Sequence, residues 1–204
     1  MKILAIGAHP GDIEFGCGGT LYKYRLKGHH VEMLVLTDGA RGGDPKIRKK
    51  EQEEAANLIG AKSLHWGGFA DCEIPCDSKA VMIIEKKIHD IKPDLVFTHY
   101  MDDTHQDHRN AALASIAANR KVKNLLFYES FSTSTFSPQV YVDITSLADK
   151  KFEFLNTHKS QQNKTYTDGI TLSNISRSFT EIRGSEIFVK HAEAFHSARL
   201  IINI

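Results

Sequence analysis

The sequence predicts a doubly wound, Rossmann-like α/β fold with a mainly parallel sheet. The prediction rests on apolar runs of strand length recurring from Ile3 to Tyr128, helix-length segments between them, and Gly28 and Gly60 stopping the first two of those segments. Ile3–Ala8 (ILAIGA) is a continuous run of small apolar residues, the pattern of a strand covered on both faces. Gly18, Gly19 and Thr20 lead into a helix through Lys27, with Leu21, Tyr24 and Leu26 as inward residues and Gly28 as its stop. Val31–Thr37 (VEMLVLT) is a second strand. The polar loop from Asp38 to Pro45 delivers a charged helix over Lys46–Ile59, ended by Gly60.

Ser63–Trp66 is a weak third strand and Lys79–Ile91 a third helix. Pro93 and Asp94 precede a fourth strand, Leu95–Thr98, and an Ala-rich helix follows over Asp107–Asn119. Leu125–Tyr128 is a fifth strand. Right-handed crossovers between these elements give the strand order 3-2-1-4-5. After Tyr128 the rhythm changes. Val140–Val142 reads as an edge strand, Leu147–Gln161 and Glu186–Arg199 as helices, and the Ser/Thr/Asn-rich stretch 163–178 as a surface loop. No repeat or linker interrupts the pattern, so residues 1–204 read as one domain.

The composition narrows the function classes. Apolar residues make up 41% and charged residues 25%, the balance of a globular chain. The 26 Lys and Arg against 25 Asp and Glu leave a net charge of +1, which argues against a generally basic nucleic-acid binder. Three cysteines without a CxxC pair fit a reducing compartment and neither a disulfide scaffold nor a zinc ribbon. No stretch approaches a membrane span or a signal-peptide core, so the expected address is the cytoplasm. Homo-oligomer formation stays open. There is no Gly-x-Ser-x-Gly elbow and no Walker A loop. Gly16-Cys-Gly18-Gly19 lacks the third small residue of a dinucleotide fingerprint, so helix packing is the better reading of those glycines.

Chemistry concentrates after two strands. His9-Pro-Gly-Asp12 follows the first, and Asp102-Asp-Thr-His105-Gln-Asp107-His108 follows the fourth. In a 3-2-1-4-5 sheet these strands are neighbours, and their carboxyl ends flank the switch point where ligands bind. Imidazole and carboxylate without thiolate suit a hydrolytic Zn²⁺, with Fe²⁺, Mn²⁺ or Co²⁺ as substitutes. His9, Asp12 and His108 are the candidate ligands, leaving a coordination position for water. Asp107 is the type of residue that orients a neighbouring imidazole, and His105 the type that faces substrate as an acid or oxyanion donor.

Gly7-Ala-His-Pro-Gly-Asp-Ile-Glu-Phe-Gly-Cys-Gly-Gly-Thr20, Thr37-Asp-Gly-Ala-Arg-Gly-Gly with Arg48 and Glu51, and Asp103-Thr-His-Gln-Asp-His108 are similar to successive motifs of the PIG-L/LmbE-like family of zinc-dependent N-acetylglucosaminyl deacetylases. His158-Lys-Ser-Gln161 and Lys190-His-Ala-Glu-Ala-Phe195 resemble its later signatures. The resemblance implies removal of the acetyl group from a small-molecule N-acetylglucosamine conjugate, with His9, Asp12 and His108 on the metal. It further implies that His105 protonates the leaving amine or stabilises the oxyanion, that Asp107 fixes the orientation of His105, and that Arg48 binds substrate. Otherwise Arg48 is a solvated helix charge. His158 reads as structural and Glu14 as a brace of the first loop.

One departure matters. The family's general base, the first aspartate of its Ala-His-Pro-Asp-Asp motif, is Gly11 here. Losing general-base assistance costs about 10²–10⁴ in rate. The alternatives are activation by the metal alone or by Asp102 or Asp103, a silent relative that binds metal and sugar, and a sequence variant of an active enzyme.

Overall fold

The computed structural model describes residues 1–165 and 167–201. Five strands, β1 (Lys2–Gly7), β2 (His30–Thr37), β3 (Ser63–Phe69), β4 (Leu95–His99) and β5 (Asn124–Tyr128), run parallel in the order 3-2-1-4-5. Two more, β6 (Val140–Asp143) and β7 (Ala192–Arg199), extend the sheet beyond β5 in antiparallel sense, with β7 inside and β6 at the edge. Helices α1 (Asp12–Leu26), α2 (Pro45–Ile59), α3 (Ser78–Ile91) and α4 (Gln106–Ala118) make the crossovers, and α5 (Ala148–Asn156) and α6 (Leu172–Ser185) follow β6. Among the described residues, no helix is long and apolar enough to cross a membrane.

The apolar run of β1 is buried because both sheet faces are covered. Ile3 and Ala5 pack with Ile13, Cys17 and Leu21 of α1, whereas Leu4 and Ile6 pack on the other face with Ile84 of α3 and Ala111 of α4. The helix boundaries follow local chemistry. Asp44 caps α2 by accepting from the Lys46 N–H at 2.8 Å, Pro45 opens the helix, and Gly60 at φ +76° ends it.

Three expectations need correction. Helix α1 begins at Asp12, not Gly18, and its glycines lie inside it. They are packing sites: a Cβ on Gly16 would stand 2.1 Å from the Tyr128 ring. Residues 186–199 are not a helix but contain β7. Ala and Glu are good helix formers, but propensity is a weak determinant, and pairing with two neighbouring strands overrides it. Much of the expected loop 163–178 is the start of α6, where Thr171 and Asn174 form a reciprocal cap. The fully buried residues of α6 are Ser176, Thr180 and Gly184, whereas its apolar stripe of Leu172, Ile175 and Phe179 is only half-buried.

A buried ion pair ties α1 to β7. Lys151 and Glu193 are almost sealed from solvent, with Nζ 2.6 Å from Oε1. Glu193 also accepts from the backbone N–H groups of Gly19 and Thr20, and Lys151 donates to the carbonyls of Glu14 and Phe15. The pair thus satisfies backbone groups in the middle of α1 as well as itself. Removing one partner leaves an uncompensated buried charge. Lys151→Met is expected to lower the unfolding free energy by about 3–5 kcal/mol, measured by urea denaturation of the metal-free chain.

Candidate metal centre

The turn after β1 brings a histidine and a carboxylate together. The Asp12 carboxylate accepts from the His9 N–H at 2.7 Å, and the Asp12 N–H donates to the His9 carbonyl at 3.3 Å. Gly11 sits between them at φ +102°, a conformation that disfavours a side chain. Its N–H donates to Gln52 of α2 at 3.0 Å. From the next strand, β4, the chain turns into α4 and supplies His105, Asp107 and His108.

The sequence-predicted ligands converge. His9 Nδ1 and His108 Nε2 lie 3.4 and 3.5 Å from the same Asp12 oxygen. The three residues offer ligand atoms all within 4.8 Å of one another. A tetrahedral ion with bonds of 2.0–2.2 Å would space its ligand atoms about 3.3 Å apart. Two imidazoles and a carboxylate at this spacing fit a divalent ion of the zinc type, by donor chemistry as well as by distance.

The outer nitrogen of each imidazole faces carboxylates. His9 Nε2 lies 3.0 Å from Asp71 and 3.2 Å from Asp107, and His108 Nδ1 lies 3.1 Å from Asp103. Such contacts fix which nitrogen points inward. Asp107 is fully buried, and its carboxylate accepts from the N–H groups of Cys72 and Ile74 as well as facing His9. It therefore braces His9 rather than the His105 ring, with which only its backbone N–H interacts, donating to Nδ1 at 3.2 Å. That bond leaves the His105 proton on Nε2. The His105 ring stands 4.7 Å from both His9 and His108, and burial, then the neighbouring His9, pushes its pKa down.

Asp102 and Asp103, the alternatives to a carboxylate at position 11, are both engaged elsewhere. Asp103 is committed beneath His108, accepting from Ser130 and Ser132 at 2.7 Å each and from the His105 N–H at 2.8 Å. Asp102 is exposed and bonded to Thr135. Arg48 is 6% exposed, so it is not a solvated helix charge; it donates to the carbonyls of Gly39 and Pro10 at 2.6 and 3.0 Å. Glu14 accepts from Gln52 and faces His158 across 3.4 Å, both buried behind Gly11.

Sequence reasoning gave no role to Asp71 or His99 and misplaced that of Asp103. Asp71 lies just beyond the carboxyl end of β3, an edge strand away from the switch point between β1 and β4, and among Cys and Glu with no histidine nearby. His99 ends β4, stacks on His108 at 4.0 Å, and accepts the Ala8 N–H at 3.1 Å. Its burial, then the neighbouring His108, pushes its pKa down to about 4.

Above these groups opens a cleft of about 460 Å³. His9, Gly11, Asp12, Arg48, His105 and His108 line it, and Asp107 lies beneath. Residues 4–119 match the family described as PIG-L, GlcNAc-PI de-N-acetylase. The chain belongs to this family. It is 35% identical over 167 residues to the uncharacterised deacetylase YaiS of Escherichia coli, covering 78% of this chain and 90% of that protein. It is 29% identical to the diacetylchitobiose deacetylase of Thermococcus kodakarensis, over 78% of this chain and 70% of the relative. Among solved structures, the conserved protein TT1542 of Thermus thermophilus superposes with a TM-score of 0.88 at 26% identity, over 99% of this chain and 96% of that one. PIG-L membership agrees with the resemblance read from the motifs.

Two predictions follow from the electrostatics of the centre. Burial opposes a charged His9, yet Asp107, Asp12 and Asp71 together raise its pKa well above 6.5. The stability this contributes is present below pH 6.5 and lost as pH rises through the folded value. His99 has the opposite sign: stability is lost as pH falls from 6.5 to about 4, because only the unfolded chain takes up the proton. Thermal melting of the chelated protein should therefore peak near pH 6.5, with His99→Gln flattening the acid limb. Separately, Asp103→Asn should weaken metal binding about 10–100-fold in a chelator competition.

Proposed function

We propose that the chain is a metal-dependent hydrolase that removes the N-acetyl group from an N-acetylglucosamine-type amino sugar or its conjugate, with Zn²⁺ as the ion. The observation that carries this reading is the His9, Asp12 and His108 triangle on the floor of a cleft, with the His105 ring beside two of its corners. The diacetylchitobiose deacetylase relative supports the substrate class.

His9, Asp12 and His108 would hold the ion, which would supply Lewis acidity and a water of lowered pKa. The protein's own groups do the rest. Asp71, Asp107 and Asp103 hold the inward nitrogens of His9 and His108 in place. His105, kept neutral, donates its Nε2–H as a hydrogen bond to the oxygen on which charge builds, and the departing amine takes up the proton that the attacking water releases. The acyl carbon gains the oxygen of water and loses the sugar nitrogen, giving a carboxylate and a free amine. Arg48, anchored on the loops after β1 and β2, positions the sugar at the cleft wall.

Gly11 contributes no carboxylate, and general-base assistance is worth about 10²–10⁴ in rate. The nearest atoms to a Cβ at this position belong to the His158 ring, at an ordinary contact distance of 3.7–3.8 Å, so φ rather than Cβ contact opposes a side chain here. Backbone strain of this kind costs about 1–3 kcal/mol.

The deciding assay follows acetate and free-amine release from N-acetylglucosamine and N,N'-diacetylchitobiose. Release should be abolished by chelation and restored by Zn²⁺, and His108→Ala should lose it; turnover indifferent to both overturns the mechanism. Gly11→Asp should raise kcat while lowering the melting temperature. Turnover by the unaltered chain excludes a silent metal and sugar binder.

A further inference from the structure

Behind Gly11 runs a buried chain of polar groups with no part in the reaction so far. The Gly11 N–H donates to Gln52 Oε1 at 3.0 Å, Gln52 Nε2 donates to Glu14 Oε1 at 2.7 Å, and Glu14 Oε2 faces His158 Nε2 across 3.4 Å. Gln52, Glu14 and His158 are all sealed from solvent. The backbone fixes His158 in place: its N–H donates to the Leu155 carbonyl of α5 at 3.1 Å, and its carbonyl accepts from the Gln161 N–H at 2.9 Å.

This imidazole has hydrogen-bonding capacity to spare. Among the described residues, neither ring nitrogen of His158 closes a hydrogen bond, and Glu14 Oε2 receives none. Buried polar groups left in this state cost stability unless water or chemistry engages them. A carboxylate only accepts, so facing Glu14 puts the ring proton on Nε2 and leaves Nδ1 as a lone pair. Nδ1 lies 3.8 Å from the point where a Cβ on Gly11 would stand, and the ring atoms Cγ and Cδ2 lie 3.7 and 3.8 Å from it. Gly11 lines the cleft beside His9 and Asp12, with the His158 ring directly behind it. The lone pair therefore adjoins the volume that a longer side chain at position 11 would fill.

We propose that His158, steadied by Glu14, is the proton acceptor of this chain, working through one water seated beside Gly11. The proposal rests on the deacetylase reading and gives it the base that position 11 does not supply. The attacking water bonds through its oxygen to the acyl carbon and releases a proton to the water beside Gly11, which passes one of its own to Nδ1. As the carbon–nitrogen bond breaks, a proton returns along the same path to the amine nitrogen. The imidazole ends neutral, and the Glu14 carboxylate offsets its positive charge in between.

The test is a double-variant cycle on the zinc-loaded chain, with N,N'-diacetylchitobiose as substrate. His158→Gln should lower kcat about 10²-fold or more and leave KM within about threefold, because a base acts in the transition state. In a Gly11→Asp background the same change should cost less than about threefold, since a carboxylate then serves. An equal loss in both backgrounds makes His158 structural and overturns the proposal. Should His158→Gln not fold, Glu14→Gln carries the same comparison. Turnover by Gly11→Asp alone also overturns it while the deacetylase reading stands; if neither chain turns over, that reading fails and the base falls with it. A second readout needs no activity. A crystal structure of the metal-free chain should show a water about 2.7–3.2 Å from His158 Nδ1, displaced in Gly11→Asp. Density showing Nδ1 without a water overturns the proposal.

Discussion

Four carboxylates, from Asp12, Asp71, Asp103 and Asp107, crowd two imidazoles at the carboxyl ends of β1, β3 and β4. Negative charge packed this densely, with little water to screen it, has to be answered by positive charge in the same small volume. Protonated His9 answers part of it in the metal-free chain, and hydroxyl and backbone N–H donors answer the rest. A divalent cation answers it more completely. The fold tolerates the arrangement because every outward-facing oxygen of Asp103 and Asp107 finds a donor, so the imidazoles are oriented before any ligand arrives.

Much of this was legible in the amino-acid order. The five parallel strands announce themselves through apolar runs, because a strand covered on both faces cannot hide its composition. The neighbouring positions of β1 and β4 then place His9, Asp12 and His108 together by topology alone. What was illegible depended on contacts between distant segments. That Asp107 serves His9 and Asp103 serves His108 is decided by how α4 docks, not by the spacing of the motif. The conversion of 192–199 into an interior strand likewise depends on the vacancy between β5 and β6, to which helix propensity is blind. Small polar residues on the inner face of α6 defeat any rule that equates burial with hydrophobicity.

Arg48 illustrates a third kind of information. Its place in a charged, amphipathic helix makes it look like solvent-facing surface, yet it is sunk between the loops after β1 and β2 and holds their carbonyls. Gly39 is required beside it, since a Cβ there would stand 1.9 Å from the guanidinium. The arginine thus couples the His9–Asp12 turn to the loop after β2, so that the depth and the mouth of the cleft share one fixed frame.

The Lys151–Glu193 clamp has a consequence for biosynthesis. All three candidate ligands precede β7 in chain order, but the helix that begins with Asp12 has its central backbone groups satisfied by Glu193 of that strand. During synthesis the three candidate ligands therefore precede the strand that completes the scaffold around α1. Closure of that scaffold waits on the strand that carries Glu193.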